Sequence, residues 1–196
     1  MRRKTFDMVL TAGGAVLAVV LIAAGALGMW GYNYANTNVH NQLAAQQITF
    51  PALGSAELAS PKIGPFLDKY AGQQLLNGQQ AEAYADHFIA VHLSEMPLNG
   101  VYAAVSGAAR TNPTNAALQT EVQTVFQGTT LRGLLLEAYA FWTIGQVALV
   151  GAVVSFILAF VMLLLTALGI WHFRRTPEDL EFPNSLHTEV KIPAGV

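Results

Sequence analysis

The residues best suited to chemistry lie in one stretch, EAYADHFIAVHLSE, which begins at Glu82. Glu82 and Asp86 are four residues apart, so their carboxylates would meet on one face of a helix. His87 and His92 are five apart, and the four side chains together are the candidate set for a zinc or di-iron site. Metal sites on helices usually follow HExxH or ExxH spacing, and neither pattern occurs here. The spacing favours a solvated carboxylate pair with surface histidines, so we predict no catalytic residue, metal or other cofactor.

Other catalytic patterns are missing from the sequence. It has no G-x-S-x-G elbow, P-loop or G-x-G-x-x-G motif. It has no cysteine, which removes disulfides, zinc ribbons, iron–sulfur ligation and thiol nucleophiles. Arg132 and Glu137 flank the start of the last apolar segment, and either can bridge to another element. We therefore predict that the protein is not an enzyme, with metal-dependent activity at 82–92 as the weakest alternative.

The composition is that of a membrane protein. Of 196 residues, 53% are hydrophobic and 11% are charged, against about 25% charged residues in soluble domains. Two uncharged stretches, 8–32 and one within 138–173, exceed the roughly 20 residues that a bilayer requires. The net charge of −2 argues against a nucleic-acid partner. Membrane lipids are the first partner that the sequence predicts.

Basic residues give the predicted orientation. An Arg-Arg-Lys run at 2–4 precedes the first span and an Arg-Arg pair at 174–175 follows the second. The positive-inside rule then places both termini in the cytoplasm of a plasma-membrane protein. The predicted organisation is a cytoplasmic N-terminus, a transmembrane helix, an extracytoplasmic helical domain, a long helix containing the second span and a cytoplasmic tail, over 1–7, 8–32, 33–137, 138–173 and 174–196. A cleaved signal peptide is the alternative for the first span, although its 25 residues exceed the usual apolar core of about 7–15.

The second apolar segment is longer than a bilayer requires. As a helix, 138–173 would measure about 54 Å, against about 30 Å for the hydrocarbon core. Apolar residues at helical spacing also extend both spans outward: Tyr32, Ala35, Val39 and Leu43 in one, and Leu131, Leu134, Leu135, Ala138, Trp142 and Gly145 in the other. We predict an all-α membrane protein in which two long antiparallel transmembrane helices extend outside the bilayer. A small helical extracytoplasmic domain is inserted between them, and the extensions pack on each other and on that domain.

Turn residues divide the predicted domain into short helices. The expected helices cover 64–77, 79–96, 101–110 and a segment that Asn112-Pro113 begins and Gly128 ends. The tail after Arg175 has three prolines and is predicted to be disordered, or alternatively to order against a partner.

Small residues four apart recur in both spans: Ala24, Gly28, Gly151, Ser155 and Ala159. Such rows let helices approach closely in lipid, either on each other or on a partner. The alternative is that Gly and Ala are simply common in membrane helices.

Four motifs carry a resemblance: QQITFP at 46–51, DKYAGQQ at 68–74, AYADHFI at 83–89 and TLRGLLLEAYAFW at 130–142. With the two-span layout they resemble a family of small actinobacterial membrane proteins of uncharacterised function. The resemblance covers the chain up to Arg175 and implies an actinobacterial plasma membrane. Members sometimes carry the label aromatic ring-opening dioxygenase, which this sequence does not support because it lacks a residue set with metal-binding spacing.

Two functions from different classes fit these features. The favoured one is a non-catalytic accessory or scaffold subunit of a larger plasma-membrane complex with integral-membrane partners, and a respiratory complex is the preferred host by analogy. The alternative is a stand-alone extracytoplasmic module that binds or senses a small ligand, ion or lipid. It predicts a pocket near Tyr84, Phe88 and His92. A subunit should leave an apolar stripe exposed, whereas a binding module should close that stripe around a cavity.

Overall fold

The structure, a computed structural model, describes residues 3–175, and the predicted tail after Arg175 lies outside this range. Within the described range every regular element is a helix, apart from one isolated bridge between Thr49 and Gln74. The all-α class is therefore confirmed. Two of the helices are long and apolar enough, by length and composition, to cross a membrane.

The elements of the described range are joined by connections of at most seven residues, except for the 17 residues (47–63) between the first two helices. They are α1 (Arg3–Gln46), α2 (Gly64–Leu67), a 3₁₀ turn (Asp68–Tyr70), α3 (Gly78–Tyr84), a π-helical segment (Ala85–Ile89), α4 (Ala90–Ser94), a turn at Pro97–Gly100, α5 (Tyr102–Thr111) and α6 (Ala116–Arg175). The α3, π and α4 segments form one unbroken helix over 78–94. Of the described residues, 3–27 and 151–175 form a first compact unit, and 28–150 form a second.

In the first unit, α1 and α6 pack through small residues that recur every seventh position. The buried members are Ala18 and Gly25 on α1, with Ala152, Ala159 and Thr166 on α6. Gly25 lies so close to Phe156 that an added Cβ would sit 2.8 Å from the ring. A seven-residue repeat is the pattern of helices that wind around each other, and small side chains bring such helices close together.

In the second unit, both long helices contribute to one core with the short helices. Val39 and Leu43 of α1 and Leu135 of α6 are buried in it. The other buried members come from the intervening segment: Phe50, Leu58, Ile63, Leu67, Leu75, Ala81, Ala85 and Ile89. The predicted helical extensions are therefore present, and one face of each is covered by protein.

The predicted helix over 64–77 is wrong beyond Tyr70. Gly72 has a φ of +69°, a left-handed value that suits glycine and turns the chain out of the helix. The Leu75 amide then donates to the Ile48 carbonyl at 2.8 Å, which pairs this segment with the residues that follow α1. Asn77 begins the next helix, because its Oδ1 accepts from the Gln80 amide at 3.0 Å.

The prediction that Gly128 ends a helix is also wrong, because α6 continues without a break for 60 residues, or about 90 Å. A Cβ at this position would lie 2.9 Å from Cδ2 of Leu93. The glycine therefore admits a close side chain from the neighbouring helix. The N-terminal cap of α6 is Asn115 and not the predicted Asn112, because Oδ1 of Asn115 accepts from the amides of Ala117 and Leu118.

Candidate functional site

A groove of about 500 Å³ lies between α1 and α6 in the second unit, and we call it the α1–α6 groove. Its lining comes from the outward extensions of both helices: Tyr34, Asn38, Val39, Gln42, Leu43, Gln46, Ile48, Leu131, Leu134, Leu135, Glu137, Ala138 and Phe141. The floor is formed by Val39, Leu43 and Leu135, the same side chains that α1 and α6 contribute to the core. The groove is therefore held by residues that the fold itself requires.

The α1 wall of the groove is polar. Tyr34, Asn38, Gln42 and Gln46 follow one another at intervals of four residues, which places them on one face of the helix. The Gln42 amide donates to Oδ1 of Asn38 at 3.4 Å. Three side-chain amides in a row offer both donors and acceptors along the wall.

The α6 wall is apolar and open to solvent. Leu134 is 58% exposed, Phe141 40% and Leu131 38%. Glu137 alone among the described lining residues carries a charge, and it is also exposed. Exposed apolar rows of this kind, with a polar rim, are typical of surfaces that receive a partner.

Aromatic residues stand at one end of the groove. Trp30 stacks on Tyr34 with ring centroids 5.7 Å apart, and Tyr34 meets Phe141 edge-on at 6.5 Å. Trp and Tyr are enriched where membrane meets water. A cluster of these side chains is therefore of the kind found at a membrane–water interface.

Asp86 does not pair with Glu82 but with α6. Its Oδ1 accepts from Nη2 of Arg132 at 2.7 Å, across 46 positions of sequence. Both side chains are about 60% covered by neighbours, and Nε of Arg132 is buried without a hydrogen-bond partner. Of Arg132 and Glu137, for which a bridge to another element was predicted, Arg132 forms one. Its ion pair with Asp86 links the helix over 78–94 to α6.

Glu82 and His87 border a recess of about 300 Å³ in the second unit, together with Phe66, Lys69 and Tyr70. His87 lies flat on Phe66, with ring centroids 3.7 Å apart and an interplanar angle of 1°. Within residues 3–175 no three His, Asp or Glu side chains form a group that could hold a metal ion. The four candidate ligands are therefore not brought together as a set.

Tyr84, Phe88 and His92 stack on one another along the helix over 78–94. The ring centroids are 4.7 Å apart in the first pair and 4.4 Å in the second. His92 Nδ1 also lies 2.7 Å from the Phe88 carbonyl oxygen. Burial raises the pKa of the Tyr84 phenol above its ordinary value. The Phe88 ring thus contacts the rings of both Tyr84 and His92, and the pocket that we predict beside them stays a prediction.

The small residues chosen from the sequence occupy different environments. Ala159 is buried in the first unit, as one of the residues at seven-residue spacing. Ala24 and Gly151 are exposed, and nothing lies within 4 Å of a Cβ added at Gly151. Gly28 and Ser155 are half-buried. Ala24 and Gly151 remain free to pack on a partner, the second of the two predicted roles.

The α1 wall was the feature that sequence reasoning missed. Its signal in the sequence is a row of amides at four-residue spacing (Asn38, Gln42, Gln46), which matches no catalytic or metal-binding pattern. No family model, curated protein or solved structure matches the chain. The resemblance to the actinobacterial family accordingly stays a prediction.

Proposed function

We propose that the protein is a non-catalytic accessory or scaffold subunit of a larger plasma-membrane complex in an actinobacterium, with a respiratory complex as its preferred host. The observation that carries this proposal is the α6 wall of the groove. Leu131, Leu134 and Phe141 stay exposed while Leu135, on the same helix, is buried. Because this apolar row is left open and is not closed around a cavity, it favours a subunit over a self-contained binding module.

The proposed topology has two antiparallel spans, cytoplasmic termini and an extracytoplasmic domain inserted between the spans. Contacts within each unit support antiparallel helices. In the first unit Gly14 meets Thr166 and Gly169 meets Thr11. In the second, Gly145 meets Ala35, and an added Cβ at Gly31 would meet Ala148. In both units, residue numbers rise along α1 as they fall along α6.

The α1–α6 groove sits at the outer end of the spans in this topology. The aromatic residues at its end would then lie at the membrane surface, and the amides and Glu137 would lie just outside. Protein covers one face of the surplus helix length. The exposed face is left for a partner, since an apolar row in water is costly at roughly 25 cal/mol per Å².

The test is purification of the tagged protein from its native membranes in a mild detergent, followed by native gel electrophoresis and mass spectrometry. Repeated, stoichiometric recovery of one defined complex would support the subunit function. Migration alone, as a monomer or homo-oligomer in several detergents, would contradict it. Ligand and metal analysis of the same sample would then test the binding-module and metalloenzyme alternatives.

A further inference from the structure

We propose that the α1–α6 groove receives a helix of a different membrane protein, one that leaves the bilayer beside α1 and α6 and places a Lys or Arg opposite Glu137. This inference rests on the proposed subunit function and names the partner surface within it. The occupant would be amphipathic, with its apolar side on the α6 wall and its polar side on the α1 wall.

The dimensions of the groove suit a helix. Its α1 wall runs from Tyr34 to Gln46, which is about 18 Å, or roughly three helical turns. An amphipathic helix docks by laying its apolar face on an apolar surface, and the α6 wall offers such a surface. Docking there would bury Leu131, Leu134 and Phe141 in one step.

The charge in the groove specifies the occupant further. Glu137 lies within the apolar wall and no basic residue lines the groove. An apolar helix without a cation would cover this carboxylate and leave it unpaired, which is costly. A Lys or Arg on the arriving helix removes that cost and fixes its register. The amides of Asn38 and Gln42 can accept or donate to its remaining polar groups.

A lipid is a poorer occupant than a helix. The headgroup layer is only about 5–8 Å thick on each side of the bilayer. If Phe141 marks the interface, Glu137 falls within that layer, whereas Leu131 lies ten residues earlier on α6, or about 15 Å. A lipid headgroup would therefore leave Leu131 and Leu134 uncovered.

A second copy of the chain is also a poorer occupant. Two-fold pairing through the groove would bring like-charged Glu137 side chains toward each other. In the described part of the second unit, Arg132 is the one Lys or Arg on α1 or α6, and it already pairs with Asp86. The α1 and α6 faces that border the groove therefore supply no free Lys or Arg for Glu137 of a second copy.

The test is site-specific photo-crosslinking of the full chain in its native membranes. Leu134 is replaced by p-benzoylphenylalanine, and the matched control carries the same residue at Thr130, which is exposed on α6 but does not line the groove. We expect an adduct at position 134, at about tenfold higher yield than at 130. Sequencing of the adduct should give a helical segment of another membrane protein, next to a span and carrying Lys or Arg.

Glu137→Lys should lower the yield about tenfold, and a Glu at the partner's basic position should restore it.

Other outcomes overturn the inference. An adduct with this chain would show a second copy, an adduct with lipid would show a lipid site, and equal yields at 134 and 130 would show a surface without a specific occupant. If the complex is recovered intact but no partner helix is captured at 134, the groove proposal fails and the subunit function stands. If no complex is recovered either, both fail. Size-exclusion profiles and circular dichroism of each variant show whether it is folded.

Discussion

Among single residues, Arg132 and Asp86 form an ion pair that links two helices, and the candidate metal ligand Asp86 thus has a structural contact. It joins α6 to the helix over 78–94 through a 2.7 Å contact, with the two side chains 40% and 36% exposed. Exposed ion pairs contribute about 0.2–1 kcal/mol, and removing one partner of a covered pair costs more because the other is left unpaired. Asp86→Asn should therefore destabilise the second unit by about 1 kcal/mol.

A double-mutant cycle with Asp86→Asn and Arg132→Gln, read by thermal unfolding in detergent, measures the coupling. The matched control is the pair between Lys62 and Glu95, whose side chains are 63% and 55% exposed at a separation of 3.1 Å. Its coupling should be smaller, below about 0.5 kcal/mol. Equal couplings for the two pairs would show that Arg132 has no special positioning role.

Tyr84 gives a prediction about pH. Burial raises its pKa in the folded state, so the folded protein favours the neutral phenol more than the unfolded chain does. The resulting stability is complete below the ordinary pKa of about 10 and is lost as pH rises through the higher folded value. Thermal unfolding measured from pH 8 to 11 should show a loss of stability above pH 10. Tyr84→Phe should reduce that loss, whereas Tyr102→Phe, at an exposed position, should leave it unchanged.

The candidate metal ligands Asp86 and His87 show the limit of spacing arguments for single residues. The contacts of Asp86 and His87 come from Arg132 and Phe66, which are far from them in sequence. Both residues also lie in a π-helical segment, which alters the angular relation that a regular helix would give them. Spacing along one helix indicates which side chains share a face, but not which residue distant in sequence contacts each of them.

At the scale of elements, hydrophobic period predicted most of the fold. The apolar repeat at Ala35, Val39 and Leu43 correctly extended α1 beyond the first span, and all three residues are buried. Two of the errors, at 71–77 and at Gly128, share a cause. Sequence reasoning treated Gly72 as an ordinary helical residue and Gly128 as a helix end. Gly72 instead turns the chain so that the next residues pair with those after α1, and Gly128 leaves room for the side chain of Leu93.

In the first unit, α1 and α6 contact each other through small residues at a seven-residue repeat. Gly25 is the sharpest test, because an added Cβ would meet three atoms of the Phe156 ring at 2.8–2.9 Å. Gly25→Leu should overpack the first unit and cost about 1–3 kcal/mol. Gly13→Leu is the matched control in the same helix, since nothing lies within 4 Å of its Cβ. The two variants are compared by thermal unfolding in one detergent, and equal midpoints would refute close packing at Gly25.

A second pair of glycines tests the contact of α6 with the short helices. A Cβ at Gly78 would lie 2.5 Å from Cβ of Trp142, so Gly78→Ala should destabilise the second unit by about 1–3 kcal/mol. Gly133 in α6 has open space around its Cβ, and Gly133→Ala should instead stabilise the helix by up to about 1 kcal/mol. Unfolding midpoints of opposite sign relative to the parent are the expected result. A neutral Gly78→Ala variant would mean that α3 and α6 can separate without cost.

For the whole molecule, the question is what covers the apolar length of α1 and α6 that is greater than a bilayer requires. The sequence predicted that protein would cover it, and in the second unit the core around Leu43 and Leu135 does so on one face. The α1–α6 groove occupies another face of the same helices and remains open. Its existence could not be predicted from periodicity alone, because Leu134 and Leu135 both fit an apolar stripe. Which of two neighbouring leucines is covered depends on where the short helices dock.

The proposed membrane topology can be tested by cysteine labelling, because the sequence has no cysteine and an introduced thiol is then the single reactive one. Ser94→Cys introduces one thiol at an exposed position of the second unit, and Ser185→Cys introduces one in the segment predicted to be a cytoplasmic tail. A membrane-impermeant maleimide added to intact cells should label Cys at 94 and leave Cys at 185 unlabelled until the membrane is permeabilised. The opposite pattern would invert the topology. Labelling at both positions would place the two ends of α6 on the same side of the membrane, and α6 would then not be a transmembrane helix. The expected pattern places the second unit, and the groove within it, outside the cell and keeps α6 as a span, so that a partner helix can reach the groove from the bilayer.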